Sequence, residues 1–152
     1  MTNKLEALET WASGLLEQLQ PGARNQLARS IGQELRRNQQ KRVLTQQNPD
    51  GSKFAPRKKR DLRGKQGRIR RKVEMFKKLR AATYMKARGD SNAVTVGFTG
   101  RISRIARVHQ FGLKDRAERG AAEVRYARRE ILGFNEESLN LIRDSLLAHL
   151  TQ

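Results

Sequence analysis

The sequence lacks cysteine and has few of the residues that build a large apolar core. Without cysteine, the chain can form neither a disulfide framework nor a thiolate metal site. Only 36% of its residues are hydrophobic and 5% are aromatic, whereas 32% are charged. We therefore expect 152 residues to fold around one modest core and to leave surface that is buried only against partners.

Long apolar runs are absent as well. No stretch approaches the roughly 20 apolar residues that a membrane-spanning helix requires. The N-terminus carries Glu6 and Glu9, where a secretory signal would have a basic start and an apolar run. These features predict a soluble product made in the cytoplasm, with no membrane partner.

The residues that carry enzymatic chemistry are sparse. The two histidines, His109 and His149, lie far apart in the sequence, and the serines lie in no known nucleophile context. The chain has no phosphate-binding glycine motif, no paired zinc-binding histidines and no calcium loop. We expect no enzyme activity, cofactor, metal or small-molecule substrate. His109 is interpreted as a half-buried packing residue whose ring lies on a helix face and caps a nearby carbonyl.

Positive charge is what the sequence has in excess. Its 33 lysines and arginines outnumber 15 acidic residues, giving +18 at pH 7, and the excess lies in the middle of the chain. Such a chain attracts polyanions, whether nucleic acid or an acidic protein surface. The densest run, RKKRDLRGKQGRIRRK, spans 57–72 and is predicted to be an electrostatic docking loop, although a merely solvated loop is the alternative. The predicted docking residues are Arg57, Lys58, Lys59, Arg60, Arg63, Lys65, Arg68, Arg70, Arg71 and Lys72.

Two helices are predicted before this loop. Apolar residues recur at spacings of three and four from 3 to 19, and QPG at 20–22 ends the pattern. A second pattern, with Leu27, Ile31 and Leu35, continues to the NPDG turn at 48–51. These helices are interpreted as a hairpin over 1–46. Phe54, the one aromatic residue of the loop, is expected to pin it to the rest of the protein.

Strands are predicted after the loop. The region 75–88 is ambiguous, and we interpret its later part as a strand. Alternating apolar residues at 92–98, preceded by the turn sequence RGDSN, predict a β-hairpin, and AAEVRYA at 121–127 predicts a third strand. The expected result is a small, mainly antiparallel sheet of about three to four strands.

Helical spacing returns twice near the C-terminus. In GRISRIARVHQFG, Ile102, Ile105 and His109 share one face, and Gly112 suits the C-terminal cap. A C-terminal helix is predicted after Asn135, its N-cap, with two glutamates at the favourable end of the dipole. The patterns together predict an α+β fold in one domain, 1–152. It would comprise a helical hairpin at 1–46, a basic loop at 47–72, and a sheet with two helices at 73–152.

Four segments in order resemble the bacteriophage virion morphogenesis family, the tail completion proteins of contractile-tailed phages. They are NPDGSKFAPRK (48–58), MFKKLRAATYMKAR (75–88), AVTVGFTGRISRIARVHQFGLKDR (93–116) and VRYARREILGFNEESLNLIRDSLLAHL (124–150). Relatives often have YPAR where this chain has YARRE, so the exit from the strand at Tyr126 is expected to differ. The structural signature comprises Ile102, Ile105, His109, Phe111, Gly112, Tyr126, Leu132 and Gly133.

The resemblance implies a structural protein that caps the head-proximal end of a phage tail and enables head-tail joining. Its implied partners are tube or sheath subunits, the head-tail connector and further copies of itself in a sixfold ring. The implied location is the virion tail, with non-specific contact to DNA in the lumen as one use of the basic charge. In such a protein His109 has no catalytic role, and Ile102, Ile105 and Phe111 are assigned to packing. Charge alone also allows an alternative, a basic nucleic-acid-binding module.

Overall fold

The computed structural model describes residues 2–16, 20–57 and 74–150. Within these ranges the chain forms four helices and two antiparallel strand pairs, which confirms the predicted α+β class. The elements in chain order are α1 (Thr2–Leu16), α2 (Pro21–Leu44), β1 (Met85–Gly89), β2 (Val94–Phe98), α3 (Ile102–Phe111), β3 (Lys114–Arg116), β4 (Glu123–Arg125) and α4 (Glu136–Leu150). None of the helices described is both long and apolar enough to cross a membrane.

The core consists of two clusters that lie at different points along α2. The first joins α1, α2 and α4 and contains Ala12, Leu27, Ile31, Leu35 and Leu146. The second joins the C-terminal end of α2 to β1 and α3 and contains Val43, Leu79, Met85, Ala106 and Ile131. At 1.5 Å of rise per residue, Ile31 and Val43 are roughly 18 Å apart along α2. Helix α4 lies along α2, and α1 packs against α4.

The predicted β-hairpin is confirmed. Strands β1 and β2 pair antiparallel, with Met85 opposite Phe98 and Gly89 opposite Val94. The hairpin packs on α2 at very short range, because a Cβ atom on Gly89 would lie only 2.5 Å from the backbone carbon of Ala28. Glycine at position 89 thus allows the strand to touch the helix backbone.

The predicted single sheet of three to four strands is not observed in the described part of the chain. Instead, β1–β2 and β3–β4 form separate two-stranded sheets. The predicted strand at 121–127 is shorter, Glu123–Arg125, and its partner Lys114–Arg116 was missed because three polar residues show no apolar alternation. Most of 75–84 forms turns, so the strand begins only at Met85.

The predicted helix ends are mostly confirmed. Gly112 has the left-handed conformation, with φ 62° and ψ 48°, and caps α3. The side-chain oxygen of Asn135 accepts a hydrogen bond from the Ser138 N–H at 2.8 Å, as an N-cap of α4 should. Helix α1 ends at Leu16, and positions 17–19 of the predicted helix lie outside the described residues.

The packing face predicted for α3 is partly wrong. The buried residues of this helix are Ala106 and Val108, and Ile102 is half-buried. Ile105 is 45% exposed and Phe111 is 59% exposed, so neither is a core residue of the isolated chain. An ion pair between Arg104 and Asp115 ties the β3–β4 ribbon to α3, while the buried Ala106 packs in the second core cluster with Val43, Met85 and Ile131.

Candidate functional site

Three segments that are distant in sequence meet around His109, and apart from positions 46 and 47 they belong to the stretches that carry the family resemblance. The site contains side chains or backbone groups from 46–57, from α3 and from 126–133, together with the turn at 75–76. We call it the junction, and its members are Gln46, Asn48, Phe54, Ala55, Pro56, Met75, Phe76, His109, Gln110, Tyr126, Arg129, Glu130, Leu132 and Gly133.

A chain of four rings forms the centre of the junction. Phe54 contacts Phe76 with ring centroids 5.5 Å apart, Phe76 contacts His109 at 4.9 Å, and His109 contacts Tyr126 at 5.1 Å. All three contacts are edge-to-face, the arrangement that the ring quadrupoles favour. Phe54 is buried, which confirms that it pins the start of the loop.

His109 is half-buried among these rings and beside a cation. Its pKa is lowered to about 4, mainly by burial and in part by the positive charges of Arg129 and Arg57. The imidazole is therefore neutral near pH 7, with its Nδ1 atom 3.4 Å from a guanidinium nitrogen of Arg129. Contrary to the prediction, the ring caps no carbonyl among the residues that the structure describes; instead the backbone oxygen of His109 accepts the Arg129 N–H at 2.8 Å.

The buried side chain of Arg129 ties the third segment to the first. Its Nε donates to the carbonyl of Ala55 at 2.7 Å, and a terminal nitrogen donates to the carbonyl of Pro56 at 3.0 Å. Burial lowers the pKa of Arg129, and Arg57 adds to the effect. A buried guanidinium needs such acceptors, so Arg129 clamps the chain just before the basic run.

A second buried guanidinium, Arg42, supports the same segment from the end of α2. It donates to the carbonyls of Gln47, Glu130 and Ile131 at 2.9, 2.8 and 2.6 Å. Burial lowers its pKa to about 10, and the Glu130 carboxylate partly opposes that shift. The sequence contained a signal for it, because Arg42 follows Leu35 by seven positions and so continues the apolar stripe.

Side-chain amides supply the remaining hydrogen bonds of the irregular stretch 130–133. Asn48 accepts the Glu130 N–H at 2.9 Å, and Gln110 both accepts from and donates to the backbone of Leu132, at 2.9 and 2.7 Å. These bonds replace the ladder that a strand would provide. Gly133 then passes directly over Pro49, where a Cβ atom would lie 2.3 Å from the ring.

The predicted residues fall into three groups in the structure. His109, Tyr126, Leu132 and Gly133 are members of the junction, and Gly112 caps the helix that delivers His109. Ile105 and Phe111 are exposed and lie outside it. Of the docking residues only Arg57 is described; the others, at 58–72, lie outside the described residues. Sequence reasoning missed Arg42 and Arg129 because both were counted as surface charge.

The chemistry available at the junction is structural. Its titratable groups are a neutral imidazole, a phenol, the Glu130 carboxylate, which forms an ion pair with Arg128 at 2.9 Å, and a guanidinium group bonded to carbonyls. Across residues 2–16, 20–57 and 74–150 there is no group of three or more histidine, aspartate or glutamate side chains that could hold a metal ion. The junction is thus a set of ring contacts and hydrogen bonds that holds three segments together.

Comparison with known proteins shows to which family the protein with this junction belongs. The model of the phage virion morphogenesis family matches residues 3–151. The chain belongs to the phage virion morphogenesis family. It is also 37% identical over 149 residues to a protein named tail completion protein S from Escherichia phage P2, which covers 97% of this chain and 98% of that protein. No solved structure matches the chain significantly. The family resemblance drawn from four segments is confirmed.

Proposed function

We propose that this protein is a structural tail completion protein, which caps the head-proximal end of a phage tail and enables head-tail joining. The observation that carries the proposal is the near full-length similarity to tail completion protein S of Escherichia phage P2. The junction supports it, because segments of the family resemblance are used there for packing and hydrogen bonding. The protein would therefore be located in the virion tail and would act without enzymatic chemistry.

Copies of the chain would form a ring, hexameric to match the sixfold tail. Symmetric closed rings are a common solution for subunits that must cap a tube. A chain with a net charge of +18 repels its neighbours, so the ring needs acidic partners. Tube or sheath subunits, the connector, or DNA in the lumen would supply them. We also propose that 1–152 acts as one domain.

The basic run at 57–72 would be the electrostatic docking loop of this assembly. The structure describes the residues just before and just after this run. Before it, Arg129 holds the carbonyls of Ala55 and Pro56; after it, the side chain of Gln46 bonds both the N–H and the carbonyl of Met75 at 2.9 Å. Phe54 and Phe76 then bring the two ends into ring contact. The junction would therefore anchor the dense charge at one place on the protein.

The test is a tail completion assay with two charge-reversal variants. One variant changes Lys58, Lys59, Arg60 and Arg63 to glutamate. The control variant changes four exposed basic residues on α2 and β1 instead, and they are Arg29, Arg37, Lys86 and Arg88. Both variants alter the net charge by the same amount, so only the position of the charge differs.

Purified variants are added to tails made without the protein, and infectious particles are counted over a range of salt concentrations. We expect the loop variant to lose most joining and most of its salt dependence, while the control retains both. Wild-type yields from the loop variant would refute the docking loop. Strong, sequence-preferring binding to nucleic acid by the wild type, with no effect on tails, would favour the alternative of a nucleic-acid-binding module.

A further inference from the structure

The β3–β4 ribbon has an inner face turned toward α3 and an outer face turned away from it. Successive residues of a strand point to opposite faces, so Asp115, Val124 opposite it and Tyr126 share one face. Asp115 forms the ion pair with Arg104 of α3. Tyr126 contacts the ring of His109, which also belongs to α3, so this is the inner face. The outer face carries four exposed residues, Lys114, Arg116, Glu123 and Arg125.

The strand register places two cations side by side on the outer face. Lys114 is directly opposite Arg125. The N–H of Tyr126 donates to the carbonyl of Leu113 at 3.0 Å, so the neighbouring Lys114–Arg125 pair is of the non-hydrogen-bonded kind. In such a pair the Cα atoms are only about 4.5 Å apart and the side chains are closest to each other. Like charges at directly opposite positions destabilise a strand pair.

The chain supplies no opposite charge to these two cations. Across residues 2–16, 20–57 and 74–150, no carboxylate forms an ion pair with Lys114 or Arg125. The guanidinium of Arg125 donates to the carbonyl of Gly112, at a long 3.4 Å. The one carboxylate of the outer face, Glu123, is opposite Arg116 instead. Lys114 and Arg125 are therefore an unbalanced pair of positive charges.

We propose that Lys114 and Arg125 hold a phosphate group of a nucleic acid backbone between them, and we call this pair the ribbon clamp. An anion between the two cations removes their repulsion and accepts charge-assisted hydrogen bonds from both. The ribbon clamp is separate from the basic run at 57–72, so its contribution to binding adds to that of the run. The inference goes beyond the proposed function, because it concerns the free protein and needs neither a tail nor a ring.

A nucleic acid fits the outer face better than a protein does. All four side chains of this face are charged, whereas the centre of a protein–protein interface is depleted of charge and rich in aromatic residues. Phosphate contacts need no apolar centre, because they neutralise charge and release counterions. Residues 116–120 at the end of the ribbon are also all exposed, and the major groove of DNA admits a two-stranded ribbon. We therefore expect backbone contact without sequence preference.

The first test measures binding of the full-length protein to a short labelled DNA duplex by fluorescence anisotropy at several salt concentrations. Lys114→Glu should weaken binding about tenfold and lower the slope of log affinity against log salt by about 1, because one phosphate contact is lost. Lys86→Glu is the matched control, since it makes the same charge change at an exposed strand position opposite Gly97. The control should keep the wild-type slope. Equal affinities and slopes for the two variants would overturn the ribbon clamp.

Hydrogen exchange of the Tyr126 N–H tests the unbalanced pair in the free protein, because this group donates across the ribbon. Lys114→Glu and Arg125→Glu each replace a like-charge pair with an opposite-charge pair, so each should slow the exchange. The double variant has like charges again, now negative, and should exchange about as fast as the wild type. A variant that exchanges more slowly has kept its ribbon, so its weaker DNA binding is not a loss of fold. Unchanged or faster exchange in both single variants would overturn the proposal.

Poly-glutamate tests the choice of nucleic acid over an acidic protein, because it carries negative charge without phosphate. Its affinity should fall equally in Lys114→Glu and Lys86→Glu. If poly-glutamate binding depends specifically on Lys114 and duplex binding does not, the partner is an acidic protein and the proposal is wrong.

Tail completion by the same proteins separates this inference from the proposed function. A wild type that binds DNA through the ribbon clamp and yet does not complete tails contradicts the proposed function alone. A wild type that completes tails, but whose DNA binding does not depend on Lys114, contradicts the ribbon clamp alone.

Discussion

Replacing Gly133 by alanine probes the tightest contact of the junction. The added Cβ atom would lie 2.3 Å from Cγ of Pro49 and 3.2 Å from its Cβ. Carbon atoms pack at about 3.5–4.0 Å, so the proline ring or the 130–133 stretch must move by more than about 1 Å. Overpacking of this kind costs about 1–3 kcal/mol. For a chain of this size, that loss lowers Tm by roughly 2–12 °C.

The matched control for this prediction is Gly97→Ala in β2. A Cβ atom at position 97 meets nothing within 4 Å, and alanine restricts the unfolded chain more than glycine does. That variant should be as stable as the wild type or more stable by up to about 1 kcal/mol. Urea and thermal unfolding of the three proteins give the comparison. If Gly133→Ala and Gly97→Ala unfold at the same midpoint, 130–133 does not cross Pro49 as closely as described.

Three further perturbations test other parts of the structure. Gly89→Ala should destabilise more than Gly133→Ala in the same urea titration, because the added Cβ would meet the backbone of Ala28, which cannot rotate away as a side chain does. Ile105→Asp should change the free energy of unfolding by no more than about 0.5 kcal/mol, since Ile105 is exposed, and a loss of solubility on this substitution would restore the core role predicted for it. For His109 the folded-state pKa of about 4 lies below the ordinary 6.5, so unfolding takes up a proton between these values. Its contribution to stability is complete above pH 6.5 and declines as the pH falls toward 4. His109→Gln should flatten that part of the stability profile, and an unchanged slope would contradict the burial of the ring.

The elements that have a clear apolar period or a cap could be predicted from the sequence. Helices α2, α3 and α4 and the β1–β2 hairpin each carry a local signal, such as the apolar stripe of Leu27, Ile31 and Leu35 or the cap at Gly112. The division into two small sheets could not be predicted, because β3 and β4 are three residues each and too short to show a period. The exposure of Phe111 could not be predicted either, because helical spacing does not say whether another part of the protein covers that side of a short helix.

The junction was only half visible in the sequence. The family resemblance singled out His109, Tyr126 and Gly133, but not that His109 lies between Phe76 and Tyr126 or that Gly133 lies against Pro49. Arg129 was hidden by the composition, since nothing local marks it as buried among 33 basic residues, whereas the only signal for Arg42 was its place on the apolar stripe of α2. Buried arginines are recognised by their acceptors, and backbone carbonyls at 47, 55, 56, 130 and 131 leave no trace in a sequence.

Electron microscopy of tails assembled with and without the protein would test the central claim most directly. Tails assembled with it should carry an additional ring of density, about six subunits around, at the end that receives the head, and only those tails should join heads. Tails that join heads equally well without the protein, or density elsewhere on the tail, would contradict the account.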